Sequence, residues 1–218
     1  MRVTQGKPGV ERARGGRPGA EIRAVLFDFD GTLTRPEAID FAVLRSLLGC
    51  PKGIAILEFI EAMESEAARR EASRMLEEFE LAAARASVPN DGAEDLVALL
   101  RDRGIGLGIL TRNSMSSIRE SMKNFSTIST ADFSVIITRE NTGRPKPHPD
   151  GVHDAARLLG VPPSQLLVVG DYVFDIAAGK AAGAFTALLT NGRPEAVTDP
   201  APDLTIAKLG ELARILGL

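Results

Sequence analysis

Five short apolar runs constrain this chain more than any other feature: AVLFDF (24–29), IGLGILT (105–111), FSVIIT (133–138), LLVVGD (166–171) and FTALLT (185–190). Each has the length of a strand, and most lack the polar/apolar alternation of a sheet with one wet face. Strands buried on both faces belong to a parallel sheet covered by helices on each side. The segments between them, GAEDLVALLRDRG, SMSSIRESMKNF, HPDGVHDAARLLG and YVFDIAAGKAAG, carry helical spacing. Repeated strand–helix units of this kind predict a doubly wound α/β sheet.

One connection breaks that rhythm. Some seventy residues separate the first run from the second, and 36–89 reads as helix throughout. Ile39, Val43 and Leu47 mark one helix, Ile56, Phe59, Ile60 and Met63 another. A third runs from Glu64 to Ala86, with Ala68, Ala72, Leu76, Phe79 and Ala83 on one face and Glu and Arg opposite. This predicts a small all-helical cap at 36–89, inserted after the first strand of a core built from 22–35 and 90–218. Pro36 and Pro89 restrict the joints, Thr34 to Glu37 and Val88 to Gly92, which are the expected hinges. Residues 1–21 are rich in Gly, Pro and Arg without either apolar period, and read as a flexible arm.

Composition narrows the function classes. A formal net charge of −3 from near-balanced acids and bases points to neither nucleic acid nor a membrane surface as partner. No apolar run approaches the ~18 residues of a membrane span. The single cysteine, Cys50, excludes an internal disulfide and a multi-cysteine metal site, and reads as a packing residue. These features favour a cytoplasmic location. Oligomeric state stays open, a monomer being compatible with everything read here.

The chemistry lies at the ends of the apolar runs. Asp28 and Asp30 leave the first strand at its carboxyl end, where open α/β sheets bind ligands. Side chains two apart on a strand share a face, roughly 6–7 Å along the chain, so both acids could flank one ligand. An ordinary Asp-Gly turn through Gly31 is the plainer alternative. Asp171 and Asp175 follow the fourth run, where helix capping is again the plain role. Four carboxylates at one sheet end suit Mg²⁺, a hard cation that prefers a few carboxylates plus water and phosphate oxygen. Thr111 ends the second run, its hydroxyl available to a phosphoryl oxygen or to the next helix start. Lys146, held between Pro145 and Pro147, is a candidate charge clamp.

In this order, DFDGT, ILT, RPKPHP and GDYVFD resemble the four motifs of the haloacid dehalogenase superfamily, over about Arg23 to Leu218. The tail TNGRPEAVTDPAPDLTIAKLGEL resembles its phosphoglycolate phosphatase-like members, which carry a helical cap after strand one of a Rossmann-like sheet. The resemblance implies a Mg²⁺-dependent phosphatase acting on a small phosphate monoester. It implies Asp28 as nucleophile forming an aspartyl phosphate, and Asp30 as acid and then base. Mg²⁺ would be held by Asp28, the Asp30 carbonyl and Asp171, with Asp175 as a further ligand or behind them. Thr111, Arg112 and Lys146 would hold the phosphoryl group.

The alternatives are a phosphomutase of the same superfamily and a non-catalytic phosphate-binding module. The superfamily's dehalogenases lack an acid at the position of Asp30, and a dead module would have lost a motif residue; none is lost here. Arg35 and Arg112 could read a substrate carboxylate, though ion pairing is the plainer role of each. His148 and His153 are expected to face solvent.

Overall fold

The computed structural model describes residues 22–36, 40–194 and 198–218; the proposed arm at 1–21 lies outside them. Six strands, β1 (Ala24–Phe27), β2 (Gly106–Leu110), β3 (Val135–Ile137), β4 (Leu166–Gly170), β5 (Phe185–Leu189) and β6 (Leu204–Ile206), form one parallel sheet in the order β3-β2-β1-β4-β5-β6. Five of them are the apolar runs. The sixth is too short to stand out in sequence. It is seated by Asp203, whose Oδ2 accepts from the Thr186 amide at 2.9 Å while Lys180 pairs with Oδ1 at 2.5 Å.

The side-chain period of two sends Val25 and Phe27 to one face and Ala24 and Leu26 to the other. The first face packs on α4 (Ala93–Asp102), α5 (Met115–Ser121) and α8 (Glu211–Ile215) through Val97, Leu100, Ile118 and Leu212. The second packs on α6 (Asp150–Leu159) and α7 (Val173–Ala182) through Val152, Ala155 and Ala178. Burial on both faces is why these strands read as continuous apolar runs. Phe27 is level with Ile109 on one side and Val169 on the other, so β1, β2 and β4 end at the same height. The strand order reverses beside β1, opening a crevice at that end.

Between β1 and α4 lie α1 (Phe41–Leu48), α2 (Ile56–Glu61) and α3 (Glu66–Ala86), separated by loops rather than continuous helix. They share a small core of Leu44, Cys50, Ile56, Ile60, Ala72 and Leu76. Ser65 caps α3, accepting from the Ala68 amide at 3.3 Å. The two segments joining this helical unit to the sheet run antiparallel: Thr34 bridges Pro89, and the Arg35 amide donates to the Val88 carbonyl at 2.9 Å.

Helix faces depart from the sequence reading in two places. In α1, Leu44 is buried whereas Val43 and Leu47 are 46% and 57% exposed; Ile39 lies outside the described residues. The segment FAVLRSLL is apolar on several sides, so spacing alone does not select the inward one. In α3, Ala68 is exposed and Glu80 is buried, because the far end of the helix packs on the sheet domain. Leu44→Ala is therefore expected to cost ~2–5 kcal/mol, against less than ~0.5 kcal/mol for Leu47→Ala. Equilibrium urea denaturation checks the contrast, and equal costs would place α1 the other way round.

Candidate active site

The turn Phe29–Leu33 carries the chain out of β1 and across the end of β4. At its centre Gly31 has φ +75°, and a Cβ there would lie 2.2 Å from Oδ2 of Asp171. Glycine is thus required twice over, by backbone conformation and by the carboxylate pressed against it. Gly170 is required by close approach alone, since its Cβ would lie 2.1 Å from Cγ of Asp175. These close approaches let acids from separate strands gather. Ligand atoms of Asp28, Asp171 and Asp175 all lie within 4.8 Å of one another.

Lys146 reaches this cluster from the loop after β3. Its Nζ lies 2.6 Å from Oδ1 of Asp28 and 2.6 Å from Oδ1 of Asp175, and the side chain is 4% exposed. Pro145 and Pro147 flank it, the Lys146–Pro147 bond being cis. Asp175 also has its capping role, its Oδ2 accepting from the Tyr172 amide at 3.1 Å. One ammonium among three carboxylates leaves negative charge in excess. Burial, reinforced by Asp28 and Asp175, pushes the Asp171 carboxyl up to about 8. Burial and Asp28 push Asp175 up to about 6. Burial works against the Lys146 ammonium, but Asp175 and Asp28 outweigh it and raise its pKa. A divalent cation would supply the missing positive charge, and three hard oxygen donors are of the kind that fits Mg²⁺.

Asp30 stands apart from the cluster, so its carboxylate is not placed as a ligand and only its carbonyl remains for that role. Its Oδ2 accepts from Asn113 Nδ2 at 2.6 Å, and burial, with Asp28 adding to it, pushes the carboxyl up to about 6. The Thr111 hydroxyl accepts from the Asn113 amide at 3.1 Å, fixing the turn after β2. Asn191 Nδ2 donates to the Gly31 carbonyl at 2.7 Å, and Asn90 to the Thr32 carbonyl at 2.9 Å. These three asparagines brace the acidic turn, and sequence reading missed them. Only Asn113, two residues after Thr111, carried a positional hint.

Arg112 is engaged by an acid of the helical unit. Its guanidinium grips Glu58 of α2 at 2.9 and 2.6 Å, also donates to the Lys146 carbonyl, lies 5.2 Å from the Phe174 ring centroid and lines the same cavity as Asp28. Arg35 likewise pairs with Asp91 at 2.7 Å. Deeper between the two units, Arg139 meets Glu80 of α3, whose carboxyl burial raises above the ordinary range. His148 and His153 are exposed. A cavity of ≈ 630 Å³ spans sheet end and helical unit, lined by Asp28, Asp30, Thr111 and Lys146 on one side and Phe41, Arg45, Ile56 and Glu80 on the other.

Fold and site together define a hydrolase of the parallel α/β class, its acids collected where strands end. The family model for haloacid dehalogenase-like hydrolase matches residues 22–183, and the chain belongs to that family. An uncharacterized hydrolase of Saccharomyces cerevisiae is 37% identical over 172 residues, 78% of each chain. The phosphoglycolate phosphatase of Escherichia coli is 32% identical over 126 residues, 57% of this chain and 49% of that enzyme. A solved hydrolase from Pseudomonas syringae superposes with TM-score 0.74 at 18% identity, over 89% of this chain and 98% of its own. This chain is thus a haloacid dehalogenase-like hydrolase with a phosphoglycolate phosphatase among its relatives. Among the described residues no helix is long and apolar enough to cross a membrane.

Gly31→Ala is expected to destabilise the fold by more than ~2 kcal/mol, from left-handed strain of ~1–2 kcal/mol plus the clash with Asp171. In an Asp171→Gly background only the strain should remain. A double-mutant cycle by urea denaturation checks this, and additive costs would mean that Gly31 and Asp171 do not touch.

Proposed function

We propose that the protein is a Mg²⁺-dependent phosphatase that hydrolyses a small phosphate monoester through an aspartyl phosphate on Asp28. The observation that carries this reading is Lys146, buried and bonded to Asp28 and Asp175 together. Its ammonium holds Oδ1 of Asp28, which orients the carboxylate and leaves Oδ2 unclaimed by the lysine. The same charge lowers the repulsion between Asp28 and an approaching phosphate.

In the first step Asp28 attacks phosphorus, the bond from phosphorus to the ester oxygen breaks, and Asp30 gives its proton to the leaving alkoxide. Asp30 suits this role because Asn113 and Thr34 hold its carboxyl apart from the acid cluster. In the second step water attacks the phosphorus of the aspartyl phosphate while Asp30, now a carboxylate, accepts the water's proton. Phosphate leaves and Asp28 is restored. Mg²⁺ held by Asp28, Asp171 and Asp175, with the Asp30 carbonyl, would offset the charge on the phosphoryl oxygens. Thr111 and the amides after it would hold one of those oxygens.

The helical unit acts as a cap, with its two joints to the sheet as hinges, and a cavity of ≈ 630 Å³ between cap and sheet favours a small ester over a protein substrate. A cytoplasmic location belongs to the same reading, on the support of composition alone.

Phosphate release from a panel of small esters tests the proposal. Chelator should abolish turnover and added Mg²⁺ restore it. Asp28→Asn should be inactive yet folded, and Lys146→Ala should lose at least ~100-fold in kcat. Near-wild-type turnover by Asp28→Asn would rule out the nucleophile, and a loss below ~3-fold in Lys146→Ala would rule out the clamp.

A further inference from the structure

Asn113 holds the Asp30 carboxyl at 2.6 Å, and the turn that presents Asn113 is fastened on both sides by one ion pair. On one side Arg139 Nη1 donates to the Arg112 carbonyl at 3.2 Å; on the other the Ser114 amide donates to Glu80 Oε2 at 3.4 Å. Arg139 Nη1 also meets Glu80 Oε1 at 2.5 Å, which closes a ring of contacts around the turn. The Arg139 amide adds a bond to the carbonyl of Asn113 itself, at 3.3 Å. Arg139 follows β3 in the sheet domain, whereas Glu80 belongs to α3 in the helical unit.

An ion pair this deep contributes little net stability, because desolvation offsets its attraction. Glu80 is 4% exposed and the Arg139 side chain 18%. The geometric effect is larger: charge-assisted contacts fix where the backbone at 112 and 114 lies. Asn113 sits between those two points with its side chain on Asp30. Both oxygens of Glu80 are engaged, by Arg139 and by Ser114, so its part in the reaction is indirect even though it lines the cavity.

We propose that Glu80 and Arg139 are positioning residues for proton donation to the leaving group: through the turn at 112–114 they set Asn113, and Asn113 sets Asp30. The helical unit then takes part in the chemistry, since the chain of contacts that fixes the acid begins on α3. The plainer alternative is an ion pair that only ties two units together, and it predicts a different pattern of losses. This inference rests on the phosphatase reading above.

The test compares Mg²⁺-dependent phosphate release from two esters at one pH, the best alkyl ester of the panel above and 4-nitrophenyl phosphate. An alkoxide leaves poorly without a proton, whereas 4-nitrophenolate leaves as the anion, so a displaced acid costs more on the alkyl ester. The quantity read is kcat/KM, which covers the steps up to departure of the leaving group. Glu80→Gln should lose ~10-fold or more on the alkyl ester, part of the ~10²–10⁴ that general acid catalysis supplies, and at least ~3-fold less than that on 4-nitrophenyl phosphate. Asn113→Ala should show the same bias, and the double variant should lose little more than the worse single one, since both cut one chain of contacts. Glu80→Gln strands the Arg139 charge; if thermal melting shows that variant unfolded, Glu80→Gln combined with Arg139→Met removes both charges and is read by the same comparison. Equal losses on the two esters, losses that multiply in the double variant, or no loss overturns this inference while the phosphatase reading stands. No release by the folded wild-type protein from these or any ester of the panel overturns the phosphatase reading and this inference with it.

Discussion

Lys146 sits where three carboxylates need a positive charge, and much of the molecule serves to keep it there. Its ammonium is bonded to Asp28 from β1 and Asp175 from α7, with Asp171 beside them. Burying these charges is costly, and removing one partner would strand the others, so each must arrive with its counterpart in place. A parallel sheet achieves this by ending β1 and β4 at the same height. Asp175, in the first turn of α7, is held further by the Tyr172 amide.

The helical unit contributes the opposite wall. Two ion pairs tie it to the sheet domain across the cavity edge, Glu58 with Arg112 and Glu80 with Arg139. The second is deep: Glu80 is 4% exposed, and its Oε2 also accepts from the Ser114 amide at 3.4 Å. Where the helical unit rejoins the sheet, Ser87 and Asn124 knit the end of α3 to α5 and the segment after it, the asparagine donating to the Ala84 carbonyl at 2.9 Å. Contacts of this kind fix the helical wall of the cavity against the acids, and fixed charges act most strongly on a reacting group where little water intervenes.

The strands that build the sheet were legible because burial on two faces removes the alternation that makes other strands ambiguous. β6 was not, since three residues with Thr205 exposed leave no apolar signature. Asp28, Asp30, Thr111, Lys146, Asp171 and Asp175 could be picked out because each follows an apolar run or sits in a proline-held loop, and the structure brings them to one end of the sheet. Asn113, Asn90 and Asn191 escaped notice because their roles exist only as distances to the acidic turn. Ion pairing was the plainer reading of Arg112 and Arg35, but spacing did not show with whom, their partners Glu58 and Asp91 lying 54 and 56 residues away. Glu80 and Arg139 gave no sign at all, their pairing existing only once α3 packs on the sheet domain.

The central claim is that Asp28 forms a bond to phosphorus, and the most direct measurement is acid-quenched turnover followed by peptide mass spectrometry. The account predicts a phosphoryl group on the peptide carrying Asp28, absent in Asp28→Asn and converted to a hydroxamate by hydroxylamine. Steady turnover with that peptide never labelled, under a quench that preserves a control acyl phosphate, would contradict it and assign the attack on phosphorus to water.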